Sequence, residues 1–555
     1  MGQHKTDEET HKVFNQPSPL EGYNAFTSDR ILQHYVNAFG GGWGDEALTR
    51  YGHLVGNELQ TAGFDANRYP PTFHSHDRFG YRIDLVEYHP AYHQLMAAAI
   101  GARHHCLPWV DERAGAHVVR AGIEYLHTQA DPGSGCPLTM TFASVPVISQ
   151  QADIAKEWLP KITTNDYDPR NIPFYEKPGL TIGMAMTEKQ GGSDVSANTT
   201  YAYPLETTGP GKPYGLVGHK WFCSAPMCDA FLVLANADKG LTCFLLPRWR
   251  PDGSKNAMII QRLKNKMGNV SNASSEVEYR GAFAWMVGEE GHGVSTILKM
   301  VALTRFDCMV GSSAIMRHAA AQAIHHTGGR EAFGRNLHEQ PLMQNVLADL
   351  ALESEAALAI SMRLAHSLDQ HDDYERALFR IGTALGKYWI CKRTPQQTYE
   401  AMECIGGVAV VEDNVLARLY RESPINAIWE GSGNIQCLDV SRVIRKHPTV
   451  IDAFINELEM AAGQIAQYDS ELSRLKDELM SDLEDDRSLR RLVEMMALLW
   501  QASTLIQYTE PFISDAFVSS RLDAFYRHMY GTLPSHTDFK RIMTRAAPKL
   551  DNPSR

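Results

Sequence analysis

The residues best suited to chemistry lie in the run Ala427-Ile428-Trp429-Glu430-Gly431-Ser432-Gly433-Asn434. Glu430 stands between a bulky aromatic and a glycine-led turn. A carboxylate that abstracts a proton must be held close to its substrate, and an apolar setting raises its basicity. Gly431 and Gly433 permit close backbone approach, while Ser432 and Asn434 offer hydrogen bonds. The same residues fit a helix N-terminus, with Ser432 or Asn434 capping a helix over Ile435–Ile444. The two readings are compatible, because a helix N-terminus is also an anion site.

A second cluster lies far upstream: Met186-Thr187-Glu188-Lys189-Gln190-Gly191-Gly192-Ser193-Asp194. Its glycines let the main chain approach a ligand, and the Thr187 and Ser193 hydroxyls suit a polar ring or a pyrophosphate. Read alone, it is equally a turn-rich loop. The stretch Lys220-Trp221-Phe222-Cys223-Ser224 adds an aromatic ring and a hydroxyl two residues apart. In a strand, Phe222 and Ser224 share a face, so one can pack on a planar ring while the other bonds its edge.

These clusters need elements to hold them. Residues 1–180 read as helices joined by long loops, with helical spacing over Tyr88–Ile100 and Ala114–Thr128 and loops at Pro70-Pro71 and Asp131-Pro132-Gly133. From 181 to 292 β-rich runs appear: Leu180–Met186, Phe231–Ala235, Leu241–Leu246, Met258–Leu263 and Ser275–Tyr279. Turn clusters separate them, which predicts a small antiparallel β domain. Long amphipathic helices return over 293–446, as in Val294–His326 and Leu342–Leu368, and residues 447–555 form a further helical block. The fold class expected is α+β.

At 555 residues, 44% hydrophobic and 21% charged, the chain has material for several cores. A net charge of −12 argues against a surface that binds polyanions everywhere, though not against a local basic patch. Charge is split at the end: residues 451–520 hold 14 Asp/Glu against 5 Lys/Arg, whereas 521–555 hold 7 Lys/Arg against 3 Asp/Glu. Nine scattered cysteines, a polar Met1–Gln16 and no run of ~20 apolar residues predict a cytoplasmic protein without a membrane span. No Gly-x-Gly-x-x-Gly or Walker loop occurs in a strand–helix context. His219, Cys223 and Cys228 match no closed zinc pattern, so no metal is expected. His74-Ser75-His76-Asp77 reads as loop, and Ser481 to Asp486 as a solvated helix start.

In combination the motifs resemble the acyl-CoA dehydrogenase family of flavoproteins. Met186-Thr187-Glu188…Gly192-Ser193-Asp194 is similar to its first signature. Arg330-Glu331-Ala332-Phe333-Gly334…Gln340 resembles its Arg-x-x-Phe-Gly…Gln element, Ile405-Gly406-Gly407 its Ile-Gly-Gly turn, and Trp429-Glu430-Gly431-Ser432 its base segment. Within the family the AidB branch, linked to the adaptive response to DNA alkylation, is the nearest likeness. His11–Pro17, Met186–Thr200, Asn269–Ser274, Thr304–Cys308 and the helical block after 446 carry it.

The resemblance implies an N-terminal helical domain (1–180), a middle antiparallel β domain (181–292), a C-terminal helical bundle (293–446) and an additional helical domain (447–555). FAD would lie between the middle two. Glu430 would take the α-proton of an acyl-CoA while the β-hydride leaves to flavin N5, and the Glu430 N–H would donate to the thioester oxygen. Met186, Thr187, Gly192 and Ser193 would face the flavin and its phosphates. Phe222, Cys223, Ser224 and Trp429 would surround the ring, and Ser432 and Asn434 would reach the adenosine side. Arg330, Phe333 and Gln340 would contact FAD across the interface of a homotetramer, and Gly406 and Gly407 would also bind the cofactor. Three departures predict an altered cradle for the distal half of FAD: Gln340 stands one residue nearer Gly334 than usual, with Gln344 as a substitute; Ala409 replaces a third glycine; and Cys437 replaces an arginine. Two other functions compete with dehydrogenation. One is a DNA-associated flavoprotein with vestigial activity, binding duplex DNA through Lys540, Arg541, Arg545 and Lys549 with Arg442, Arg445 and Lys446. The other is an acyl-CoA sensor.

Overall fold

The computed structural model describes residues 10–522 and 528–550, except for the side chains of Met480 and Asp482. The first block comprises α1 (Arg30–Ala38), α2 (Asp45–Val55), α3 (Glu58–Arg68), β1 (Thr72–His76), β2 (Arg82–Glu87), α4 (Pro90–Gly101), α5 (Leu107–Val110), α6 (Ala116–Ala130), α7 (Pro132–Ile148) and α8 (Ala152–Ile162). Two expectations fail here. The supposed loop around His74 and His76 is the first strand of an antiparallel hairpin, β1–β2. Asp131-Pro132-Gly133 is the start of a helix: Asp131 accepts from the Ser134 N–H at 2.8 Å, and Pro132 supplies the preset φ of a first helical residue. Asp131 also accepts from Ser271 Oγ at 2.8 Å, which ties the start of α7 to the β domain.

The β strands are β3 (Ile182–Ala185), β4 (Tyr201–Pro204), β5 (Pro213–Ser224), β6 (Ala230–Ala237), β7 (Gly240–Pro247), β8 (Met258–Leu263) and β9 (Ser274–Val287). Pairing is mainly antiparallel, but β3 and β4 run parallel to β6. The last strand extends eight residues beyond Tyr279, through polar and apolar positions that alternate in burial.

The bundle consists of α9 (Gly293–Gly329), the short pair β10 (Glu331–Ala332) and β11 (Arg335–Asn336), α10 (Pro341–Leu368), α11 (Asp373–Ile405), α12 (Val415–Glu422), α13 (Ile425–Ile428) and α14 (Gly433–Lys446). At 37 residues α9 is about 55 Å long, enough to run beneath the whole site. The final block is α15 (Pro448–Glu459), α16 (Ala466–Glu484), α17 (Leu489–Tyr508), α18 (Pro511–Arg521) and α19 (Phe539–Ala546). Ser481 to Glu484 close α16 rather than open a helix. No helix among the described residues is long and apolar enough to cross a membrane.

Candidate active site

The turn between α13 and α14 holds Glu430 with φ +58°, a left-handed conformation unusual for a residue with a side chain. Three carbonyls in succession are fixed by donors. Lys387 Nζ donates to the Trp429 oxygen at 2.6 Å and to the Gly431 oxygen. Arg305 Nε and Gln436 Nε2 donate to the Glu430 oxygen at 2.9 and 3.1 Å. With its carbonyl held, the Glu430 N–H makes no hydrogen bond to protein among the described residues. Gly431 (φ +98°) has no room for a Cβ, which would stand 2.7 Å from Gln436 Nε2. Trp429 is anchored by its Nε1–H to Asn426 at 2.8 Å.

The Glu430 carboxylate accepts from Thr304 Oγ1 at 3.0 Å. Burial raises its pKa above the usual carboxylate range, opposed by the Thr304 hydrogen bond and the charges of Arg305 and Lys387. Asp439 offsets the Arg305 charge, binding Arg305 and Arg380 at 2.8–3.0 Å. The arrangement therefore supplies a half-buried carboxylate of increased basicity beside a free N–H.

The Met186–Thr200 loop is held by a different carboxylate. Glu188 is buried and accepts from Lys220 Nζ (2.8 Å) and from Thr199 N (2.7 Å) and Thr200 N (3.2 Å). Desolvation opposes its ionised form, but the Lys220 charge and these donors win and hold it at about 2. Lys220 also donates to the carbonyls of Met186 and Leu234. Glu188 is thus a structural pin that shapes the loop for its neighbours. Thr187 and Gly192 face each other closely, since a Cβ at Gly192 would stand 3.1 Å from Thr187 Cγ2. Ser193 is exposed.

Strand alternation sends Phe222 and Ser224 to one face of β5 and Cys223 to the other. Phe222 is 45% exposed, whereas the Cys223 side chain is wholly buried, so Cys223 offers a ligand only its main chain. Ser224 Oγ lies 2.9 Å from Ser274 Oγ. Nearby Asn272 is buried with both ends of its amide unpartnered. A buried amide in that state calls for a ligand or a water. Cys136 of α7 joins the two clusters. Its half-buried thiol lies beside Ser224 and Asn272 and within range of the Lys266 and Glu430 charges, and burial pushes it up to about 12.

The more distal residues are spread along one side. Ser432 occupies the N-cap position of α14, but its side chain makes no cap bond. Asn434 accepts from Arg490 Nε of α17 at 2.8 Å instead of capping. Lys392 Nζ stands 3.7 Å from the position of a Cβ on Gly433. Arg490 and Lys392 both act on the Cys437 thiol, so cations from α17 and α11 return charge to the place where an arginine was expected. Gly406 (φ +85°) ends α11, and both Gly406 and Gly407 border open space. Ala409 is buried in the following turn while Val408, Val410 and Val411 are exposed. Arg330 donates to the Asn15 carbonyl, Gln340 donates to the Ala332 carbonyl at 3.1 Å, and Phe333 is 97% exposed. Arg330, Phe333 and Gln340 therefore stay together around β10–β11.

Thr304, Arg305 and Asn272 lie in stretches that carry the AidB likeness, but the sequence assigns no role in the site to them or to Lys387, Gln436 and Cys136. Lys387 had one local signal, a lone cation within the apolar run Leu385 to Cys391. Among the described residues no three His, Cys, Asp or Glu side chains are grouped to hold a metal.

Comparison with known proteins matches three family models along the chain. Residues 15–169 match the AidB N-terminal domain, 183–282 the acyl-CoA dehydrogenase middle domain and 291–445 the acyl-CoA dehydrogenase C-terminal domain. The chain is 44% identical over 519 residues to AidB of Escherichia coli strain K12, covering 93% of this chain and 95% of that one; that relative is named an acyl-CoA dehydrogenase only provisionally. A solved structure described as the apo-form of Bd2924 has 27% identity and a TM-score of 0.82, over 89% of this chain and 100% of that one. Caenorhabditis elegans ACDH-11, solved in complex with C11-CoA, has 23% identity and a TM-score of 0.83, over 100% of this chain and 96% of that one, which shows the shared fold. The chain belongs to the acyl-CoA dehydrogenase family, on its AidB branch.

Proposed function

We propose that the protein is an FAD-dependent enzyme of the acyl-CoA dehydrogenase type, with Glu430 as the base. The observation that carries this reading is the Glu430 carboxylate, raised in basicity and held by Thr304 next to its own unbonded N–H. The residues present fit the cofactor. The half-exposed Phe222 ring and the Ser224 hydroxyl suit a planar ring and its edge, the orphaned Asn272 amide lacks a partner, and Thr187, Gly192 and Ser193 form an open polar cradle. Ser432, Asn434 and Arg490 suit the adenosine end, and Met186 and Trp429 line the approach. Bound FAD supplies the acceptor for the β-hydride. Glu430 takes the α-proton, its N–H donates to the thioester oxygen as enolate charge develops, and the pinned carbonyls of residues 429–431 keep the two in fixed relation.

The exposed Phe333, with Arg330, Gln340, Gly406 and Gly407, is proposed to complete FAD binding across a homotetramer. Nine free thiols suit a cytoplasmic setting. The duplex-DNA reading gains no specific support. Arg541 pairs with Glu510 at 2.9 Å and Arg545 with Glu355 at 2.8 Å, while Lys540, Arg541 and Lys549 of that group are exposed.

The test is anaerobic bleaching of the flavin by acyl-CoAs. The Glu430→Gln enzyme should bind FAD normally yet bleach about 10²–10⁴-fold more slowly. Unchanged bleaching would remove Glu430 from the mechanism; binding without any bleaching in the wild type would favour the sensor.

A further inference from the structure

A cavity of about 390 Å³ lies apart from the Glu430 turn, between α4, β2, the start of α7 and the β5–β6 loop. Tyr88, Tyr92, Met96, Tyr167 and Met227 make much of its wall. Tyr88 and Tyr92 stack with their centroids 4.2 Å apart, and so present aromatic surface to the space.

Two pairs of adjacent residues divide this cavity from the proposed active site. Cys136 lies beside Ser224 and within reach of the Glu430 charge, while the next residue, Pro137, lines the cavity. Ser224 faces the active site, while the next residue, Ala225, lines the cavity. Cys136 and Ser224, on the active-site side, are thus each followed in the chain by a residue of the cavity wall. The Cys136 thiol is also within charge range of Tyr92 and Cys228, both in the cavity wall. Between α6, α7 and α9 lie buried polar groups. Arg120 is paired with Asp307, and Thr139 donates to Asp307 at 2.6 Å. An apolar tail would disrupt that network, whereas the tyrosine-lined cavity offers burial.

Several of the cavity's polar groups are matched. His93 and Tyr167 are bonded at 2.8 Å, and Lys177 is paired with Asp229 at 2.6 Å. Tyr88 is 8% exposed; the Ala273 main chain lies at its oxygen, but its hydroxyl has no acceptor. An oxygen carried by the occupant would satisfy it.

We propose that this cavity receives the acyl tail of the substrate past Cys136 and Ala225, and that it selects acyl-CoA thioesters ending in an aromatic ring that bears a hydrogen-bond-accepting oxygen. The proposal rests on the dehydrogenase reading above and assigns its substrate class.

The unsaturated product thioesters bind without turnover, so calorimetry on the FAD-loaded enzyme can compare crotonyl-CoA, cinnamoyl-CoA and 4-methoxycinnamoyl-CoA. The wild type should prefer the two aryl ligands to crotonyl-CoA by at least about tenfold. Tyr88→Phe should weaken 4-methoxycinnamoyl-CoA by roughly two- to tenfold and leave cinnamoyl-CoA unaltered. Leu85→Trp, which fills the cavity from the half-buried β2 strand, should remove the aryl preference while crotonyl-CoA still binds. Equal affinity of the wild type for all three ligands, an equal loss for all three in Tyr88→Phe, or an aryl preference that survives Leu85→Trp would overturn the inference and leave the dehydrogenase reading standing. Failure of every thioester to bind would overturn both.

Discussion

Glu430 depends on a hydroxyl that costs the fold little to place. Thr304 projects from a buried turn of α9, and its donation to the carboxylate favours the ionised form. Thr304→Val removes that donor with little change in shape, so the Glu430 pKa should rise further. The base must be deprotonated to act, and its activity appears as pH climbs through its pKa. The acid limb of the kcat/KM profile should therefore move to higher pH by roughly one unit. A profile in Thr304→Val that overlays the wild type would show that the bond does not tune the base. The left-handed φ at Glu430 explains the glycine that follows: two consecutive residues turn the chain outside the usual regions, and Gly431 alone tolerates the crowding by Gln436.

The element that shapes the cofactor face is a loop without regular structure, and one buried ion pair substitutes for a ladder of hydrogen bonds. Glu188 and Lys220 are fully buried and bond main-chain groups as well as each other. Lys220→Met leaves Glu188 buried and uncompensated and should lower stability by about 3–5 kcal/mol, read by urea unfolding, with loosened FAD retention. The pH dependence follows from the lowered Glu188 pKa of about 2. Its stabilising contribution is complete above the ordinary glutamate value and fades as pH falls toward 2. Equal stability of variant and wild type at neutral pH would contradict this role. A second element-scale feature is α14, whose N-terminus takes a partner from α17 through Asn434 and Arg490.

At the scale of the whole molecule, the last helical block is welded to the bundle rather than tethered to it. Arg363 of α10 binds Glu457 of α15 at 2.7 Å and Glu375 of α11 at 2.8 Å, all buried or nearly so. Tyr374 adds a bond to Glu457 at 2.8 Å. Trp500 of α17 approaches α11 at Gly382, where a Cβ would stand 2.8 Å from the indole. Arg363→Leu should cost about 3–5 kcal/mol, because two carboxylates lose their partner inside the fold. Its unfolding should stay a single transition if the block and bundle are one cooperative unit; a separate early transition of the last block would refute the weld. The same packing engages two cations of the basic C-terminal stretch, since Arg541 pairs with Glu510 and Arg545 with Glu355.

Local spacing was enough to read the β-rich middle, the long helices beginning near residues 293 and 341, and the Glu430 turn. Each is specified by residues close in sequence: alternation, 3.6-residue periodicity, or a glycine beside a carboxylate. The hairpin at residues 72–87 is hard to read because β1 is mostly polar, although Ile83 and Leu85 alternate with polar residues in β2, and α7 because Pro132, Gly133 and Pro137 look like turn residues until Asp131 is seen as their cap. The donors around Glu430 come from α9, α11 and α14, and Asn272 is left without a partner only because the sheet buries it. The Thr304–Glu430 bond spans 126 positions and the Lys387–Trp429 bond 42. The sequence alone determined which side chains were available for chemistry; tertiary packing decided which of them share a site, because burial and distance, unlike periodicity, are not local properties of a chain.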